Sequence, residues 1–228
     1  MIKYLFLDID DTIFDFKRSE AEALSGTLSE LGIEPSKETI ALYSKINQSQ
    51  WEALERGETT RDALLIRRYE LLFKELRVNC DPRGAQKIYE RRLSQSYYFL
   101  PGAEKLLSEL FGKYKIYFAS NGTAIVQDGR ISLSGLDKFA EDIFISERIG
   151  HNKPSREFFD ACFEKIQGFE KSEAIIVGDS LSSDILGGIN AGIKTCLFNP
   201  KKKPLTGEVT PDYEINELAE LRVLLERI

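Results

Sequence analysis

Five short runs rich in β-branched and aromatic residues constrain the fold of this chain: YLFLD (4–8), KIYFAS (115–120), DIFIS (142–146), AIIVGD (174–179) and KTCLFN (194–199). Each is nearly continuous in apolar residues, which is how strands covered on both faces read. Helical stretches separate the last four. PGAEKLLSELFG precedes the second run, SSDILGGINAG precedes the fifth, and KPSREFFDACFEKI carries Pro154 where a first helical turn tolerates it. Strand and helix in alternation predict an α/β fold, a doubly wound, mainly parallel, Rossmann-like sheet. PDYEI (211–215) is expected as a sixth strand at one edge.

One segment breaks the alternation. Between Asp15 and Phe99 no strand pattern occurs, whereas Ala21, Leu24, Leu28 and Leu31 share one helical face. Ser36 after Pro35, Thr59 with Asp62 three residues on, and Asp81 before Pro82 all have the chemistry of helix starts. Three or four helices are therefore expected as a separate domain over residues 15–99, with the core domain made of residues 1–14 and 100–228.

Composition removes several function classes. A net charge of −6 argues against a nucleic-acid polymer as partner, since that needs a basic face. Cys80, Cys162 and Cys196 are too few and too far apart for a disulfide framework or a zinc site, and read as reduced thiols of a cytoplasmic protein. The first apolar stretch is too short for a signal peptide, and no run approaches the ~20 apolar residues of a membrane span, so no membrane partner is expected. His151 is the one histidine, and it reads as a polar loop residue; G-x-S-x-G and G-x-x-x-x-G-K-[ST] are both absent. The lysine run 201–203 reads as a solvated loop.

The remaining chemistry collects at strand ends, where open α/β sheets bind ligands. The first strand ends in Asp8 and Asp10, the second in Ser120, Asn121 and Gly122, and the fourth in Asp179 with Asp184 five residues on; Lys153 follows the third. Asp8 and Asp10 are two apart, so in extended backbone both side chains point one way. Two carboxylates in one site push one pKa up, giving an anionic nucleophile and a protonated acid. With Asp179 they form a set of oxygens suited to Mg2+. Lys153 adds a fixed cation, and Ser120 with the N–H groups after it can bond phosphoryl oxygens. Phosphate monoesters hydrolyse so slowly that enzymes accelerate them by up to ~10²¹-fold. General acid–base catalysis supplies only about 10²–10⁴ of that, so a working site needs nucleophile, metal and cation together.

These four features, each after its own strand, resemble the haloacid dehalogenase superfamily, in its branch with a helical cap inserted after the first strand. D-x-D-x-T is matched by Asp8, Asp10 and Thr12, the Ser or Thr ending strand two by Ser120, Lys-Pro by Lys153 and Pro154, and G-D-x-x-x-x-D by Gly178, Asp179 and Asp184. The resemblance implies that Asp8 is a nucleophile forming an aspartyl-phosphate. It implies that Asp10 protonates the leaving group and then activates water. Mg2+ would be held by the Asp8 carboxylate, the Asp10 carbonyl and Asp179; Ser120, Asn121 and Lys153 would bind phosphate; Asp184 and Thr12 would act from behind. Asp11 is then a solvent-facing bystander. The second aspartate, Asp10, favours phosphoryl transfer over dehalogenation.

SDILGGINAGIKTCLFN (183–199), SERIGHNKP (146–154) and WEALERGETT (51–60) further resemble bacterial pyrimidine 5'-nucleotidases. The implied substrate is a nucleoside monophosphate, with Phe14, Phe16 and Trp51 as candidate contacts for the base; Trp51 packing the cap's own helices is the competing reading. Two other functions share the same parts. One is a phosphatase of sugar phosphates or other small metabolites. The other is a phosphate-accepting regulatory protein, disfavoured by the large insert. Monomer and homodimer are equally compatible with the sequence.

Overall fold

The computed structural model describes residues 1–205 and 207–228. Six strands form one parallel sheet: β1 (Tyr4–Leu7), β2 (Lys115–Ser120), β3 (Asp142–Ile145), β4 (Ala174–Gly178), β5 (Lys194–Phe198) and β6 (Tyr213–Ile215). Their order is β3-β2-β1-β4-β5-β6. Successive residues of β1 face opposite sides, and the sequence obeys that period of two. Leu5 and Leu7 join Ile116, Phe118, Ile175 and Val177 on one face, against α5 (Ala103–Leu110) and α10 (Leu218–Leu225). Tyr4 and Phe6 join Tyr117, Ala119, Phe144 and Ile176 on the other, against Phe158, Phe159, Cys162 and Phe163 of α8 (Arg156–Phe163). Both faces are dry, which explains the unbroken apolar runs.

The insert contains α1 (Phe16–Glu30), α2 (Lys37–Glu55), α3 (Arg61–Leu76) and α4 (Pro82–Leu93). The Ser36 and Asp81 side chains accept backbone N–H groups at their helix starts, and Pro82 takes the first position of α4. The third helix starts one residue later than the sequence pattern predicts: Thr60, not Thr59, caps it, accepting from the Ala63 N–H. The four helices surround a core of Leu24, Leu28, Tyr43, Tyr69, Leu72, Phe73 and Tyr89. A buried polar chain crosses that core. Glu20 accepts from Ser44 and Asn47, each at 2.6 Å, while Arg68 donates to Asn47 and Gln86, each at 2.7 Å.

The chain leaves and re-enters the sheet domain through a pair of antiparallel segments. Phe14 bridges to Phe99, the Asp15 N–H donates to Tyr98 O, and the Leu100 N–H donates to Ile13 O. This overturns one expectation: Phe14 is fully buried at that junction, packed on Tyr97 and Phe99, and lines no cavity among the described residues that reaches the strand ends. Pro154 also differs from expectation. It lies before α8, whose cap is the Ser155 hydroxyl accepting from the Phe158 N–H. Cys162 and Cys196 are buried, and burial raises both thiol pKa values, that of Cys196 to about 12. Among the described residues no helix is long and apolar enough to cross a membrane.

A short helix, α9 (Leu186–Ala191), lies close on the sheet because Gly188 has no side chain. A Cβ there would sit 2.5 Å from Ile176 Cγ2 and 2.6 Å from Thr195 Cγ2. Gly188→Ala is expected to destabilise the fold by about 1–3 kcal/mol through overpacking. Urea denaturation should show a lower midpoint with an unchanged m value.

Candidate active site

Parallel register sets the site. Leu7 lies opposite Phe118 of β2 and Val177 of β4, so the residues that follow emerge at one edge: Asp8, Ser120 and Asp179. The strand order reverses at β1 and β4, which is where sheets of this kind bind ligands. α6 (Ala124–Ser134) follows β2, α7 (Ser146–Ile149) follows β3, and Lys153 lies in the loop after α7.

Lys153 occupies the centre and is 1% exposed. Its Nζ donates to Asp8 Oδ1 at 2.7 Å, Asp184 Oδ1 at 2.6 Å and the Ala119 carbonyl at 2.6 Å. An ammonium has three N–H donors, so all are used. Burial opposes the charge on Lys153, but Asp184 and Asp8 outweigh it and hold its pKa above the usual lysine range. Asp8 is held well above the usual carboxylate range, foremost by burial and then by repulsion from Asp184, Asp179 and Asp10, against the pull of Lys153. Asp179 is open to solvent on one side, yet protein crowds its carboxyl. That desolvation, with Asp184 and Asp11 nearby, pushes it up to about 7 against the pull of Lys17.

Asp8, Asp179 and Asp184 each bring a carboxylate oxygen within 4.8 Å of the others. Two of the three share the Lys153 ammonium and Asp179 makes no contact with it, so the cluster is short of positive charge. Asp184 has both oxygens engaged, one by Lys153 and the other by the Ser180 N–H at 3.1 Å. Asp8 and Asp179 remain as hard oxygen donors beside it, a set that fits Mg2+.

The phosphate-binding expectations divide. Ser120 is 1% exposed, and its Oγ accepts from the Gly122 N–H at 3.0 Å and Gln127 Nε2 at 2.9 Å. A hydroxyl has two acceptor sites and one donor; both acceptor sites are filled, so its O–H is left to donate to a ligand. The Asn121 side chain is already committed. Its Oδ1 accepts from the Lys153 N–H at 2.9 Å, and its Nδ2 donates to Lys153 O at 2.9 Å. That amide pins the lysine loop, so a phosphate contact from Asn121 is left to its main chain. Thr12 is fully buried with an unpartnered Oγ1 and bonds no site carboxylate. Asp11 is no bystander in solvent. It sits at φ 57°, a conformation aspartate tolerates better than most residues, and pairs with Lys17 at 3.0 Å.

Three residues that no motif flagged complete the edge. Asp10 Oδ1 accepts from Arg130 Nη1 at 2.5 Å and Asp10 Oδ2 from Gln127 Nε2 at 2.6 Å. Both donors lie on the buried face of α6, among Val126 and Ile131. Polar residues on an apolar helix face are the signal that marks them. From the insert, Arg61 donates to the carbonyls of Asn121 at 3.0 Å and Gly122 at 2.9 Å, to Ser146 Oγ at 2.6 Å and to Asn152.

Insert and sheet domain enclose a cavity of about 190 Å³ over these groups. Asp8, Asp10, Ser120, Lys153 and Asp179 line it from the sheet, and Phe16, Trp51, Leu65, Tyr89 and Leu93 from the insert. Two of the three aromatic candidates, Phe16 and Trp51, thus reach the cavity. His151 is exposed, as are lysines 201–203.

Comparison with known proteins agrees with this geometry. Residues 4–198 match the profile of the family described as haloacid dehalogenase-like hydrolase. The chain is 33% identical over 226 residues to the pyrimidine 5'-nucleotidase PynA of Streptococcus pneumoniae, covering 99% of this chain and 95% of that one. It is 30% identical over 222 residues to the pyrimidine 5'-nucleotidase YjjG of Escherichia coli, covering 97% of each. A crystal structure of the HAD-hydrolase YfnB from Bacillus subtilis, bound to magnesium and described as revealing interdomain movement, superposes with a TM-score of 0.94 at 39% identity, over 100% of this chain and 99% of that one. With a six-stranded parallel sheet, a helical insert after the first strand and acidic groups gathered at the strand ends, the chain belongs to the haloacid dehalogenase-like hydrolases.

Proposed function

We propose that the chain is a cytoplasmic, Mg2+-dependent phosphomonoester hydrolase that works through an aspartyl-phosphate on Asp8 and acts on nucleoside 5'-monophosphates, pyrimidine ones foremost. The observation that carries the reading is one cavity with reactive carboxylates on its floor and aromatic side chains from the insert on its wall. Two relatives spanning nearly the whole chain bear the name pyrimidine 5'-nucleotidase.

The residues divide the work as follows. Lys153 fixes Asp8 Oδ1, which leaves Oδ2 as the attacking oxygen. The Ser120 O–H and the nearby main-chain N–H groups receive the phosphoryl oxygens. As the Asp8–phosphorus bond forms and the ester P–O bond breaks, a proton on Asp10 passes to the departing alcohol oxygen. Each Asp10 oxygen accepts one hydrogen bond from α6, which leaves a second lone pair on each for the proton in transfer. In the second half Asp10 takes a proton from water, which attacks phosphorus and frees Asp8. Asp8, Asp179 and the Asp10 carbonyl would hold Mg2+, which supplies positive charge to the phosphoryl oxygens as negative charge builds there. The helical insert acts as the cap that reads the base.

Measurement of kcat/KM across pyrimidine and purine 5'-monophosphates and sugar phosphates tests the substrate assignment. Pyrimidine nucleotides should lead by at least about tenfold; a sugar phosphate in first place would overturn it. Asp8→Asn should remain folded and lose more than about a thousandfold in kcat. Substantial residual turnover would mean another nucleophile. EDTA should abolish activity and added Mg2+ restore it, and metal-independent turnover would remove the ion from the scheme.

A further inference from the structure

Asp10 has a cation of its own. Arg130 is fully buried, and its Nη1 donates to Asp10 Oδ1 at 2.5 Å. Its Nε donates at 3.1 Å to the carbonyl of Ser96, in the segment that returns from the insert. The guanidinium carbon lies 5.0 Å from the ring centroid of Phe14 and 5.8 Å from that of Phe16. Gln127 holds the other Asp10 oxygen and, through the same Nε2, contacts Ser120 Oγ. One amide thereby sets the spacing between the acid and the hydroxyl expected to bind phosphate.

One nitrogen of Arg130 is left over. Nη2 is buried and has no hydrogen-bond partner, although Arg130 lines the cavity. Most buried donors are satisfied by protein, and of the unpartnered ones among the described residues only Arg130 Nη2 belongs to a side chain that also holds a site carboxylate. Guanidinium is a rigid fork that engages two acceptors side by side, and here one tine is occupied by Asp10.

We propose that Arg130 is a forked contact for the departing group: Nη1 holds Asp10 while Nη2 donates to an acceptor oxygen on the alcohol portion of the substrate. This rests on the phosphomonoesterase reading above and deepens it. The substrate it selects is a phosphate ester of an oxygen-rich alcohol, such as a sugar or nucleoside. When Asp10 gives its proton to the ester oxygen, the charge left on the carboxylate is taken up by Arg130 Nη1 and Gln127 Nε2. Arg130 is then both a substrate contact and a positioning residue for Asp10, and Gln127 is a positioning residue alone.

The test compares a nucleoside 5'-monophosphate with p-nitrophenyl phosphate, whose leaving group needs no proton and offers no sugar oxygen. Arg130→Gln should lower kcat/KM on the nucleotide by about 100-fold or more, with KM raised as well as kcat lowered. On p-nitrophenyl phosphate the loss should stay below about tenfold. In an Asp10→Asn background, Arg130→Gln should add less than about threefold to the loss in kcat. Gln127→Leu should lower kcat on the nucleotide and leave its KM unchanged. Equal losses on both esters, or full additivity with Asp10→Asn, would overturn the proposal. If Arg130→Gln does not fold, Arg130→Lys, which keeps the charge and loses the fork, must show the same selective loss. A wild-type protein that turns over no phosphomonoester would overturn both readings; turnover with unchanged selectivity in the variants overturns this one only.

Discussion

The ammonium of Lys153, shared between Asp8 and Asp184, is the contact on which the site depends. Without it, two buried carboxylates would face each other uncompensated, and breaking such a pair typically costs about 3–5 kcal/mol. Its position is held by more than charge. Asn121 grips both the N–H and the carbonyl of Lys153, and the Ala119 carbonyl takes its third proton. The lysine therefore ties together the loops after β1, β2, β3 and β4. One ammonium cannot balance all the acids present. The deficit left over keeps the rim from being a closed salt-bridge cluster, and it is what the proposed divalent ion would offset before an anionic substrate could settle there.

Much of the fold was legible because both-face burial leaves an unmistakable mark. The five apolar runs and the PDYEI segment are the six strands, and the strand ends carry Asp8, Ser120 and Asp179 at one edge. The doubly wound class was legible too, but the strand order β3-β2-β1-β4-β5-β6 rests on pairings between distant segments, which composition and period do not encode. Arg130 and Gln127 escaped notice for a related reason. They lie 120 and 117 residues from the carboxylate they hold, on a helix whose pattern reads as ordinary. Phe14 was misread because an aromatic beside an acidic motif resembles a ligand contact; its pairing with Phe99 places it in the core instead.

The insert has an interior unlike that of the sheet domain. Its centre is polar, with Arg68 within 5.8 Å of the ring centroids of Tyr43, Tyr69 and Tyr89 and linked through Asn47 to Glu20. Burial pushes the Tyr43 hydroxyl up to about 12, so that phenol stays neutral and available for hydrogen bonding at ordinary pH. Gln86 Nε2 and the Tyr89 hydroxyl are left without partners, so the network is only partly satisfied. Arg68 and Tyr89 also line the cavity, so this polar interior extends to the wall that faces the strand ends.

Arg61 gives the molecule a fastening of a particular kind. It crosses from the insert to acceptors in the loops after β2 and β3, and Glu55 and Ser182 make a second crossing at 2.7 Å. Each of these bonds has a charged partner, the Arg61 guanidinium or the Glu55 carboxylate, and bonds of that kind are worth about 1.5–3 kcal/mol net apiece. The single tryptophan stands with its ring centroid 5.8 Å from the Arg61 guanidinium carbon. The protein thus carries a built-in fluorophore at the clasp itself, placed where a change in that contact can be followed without any added label.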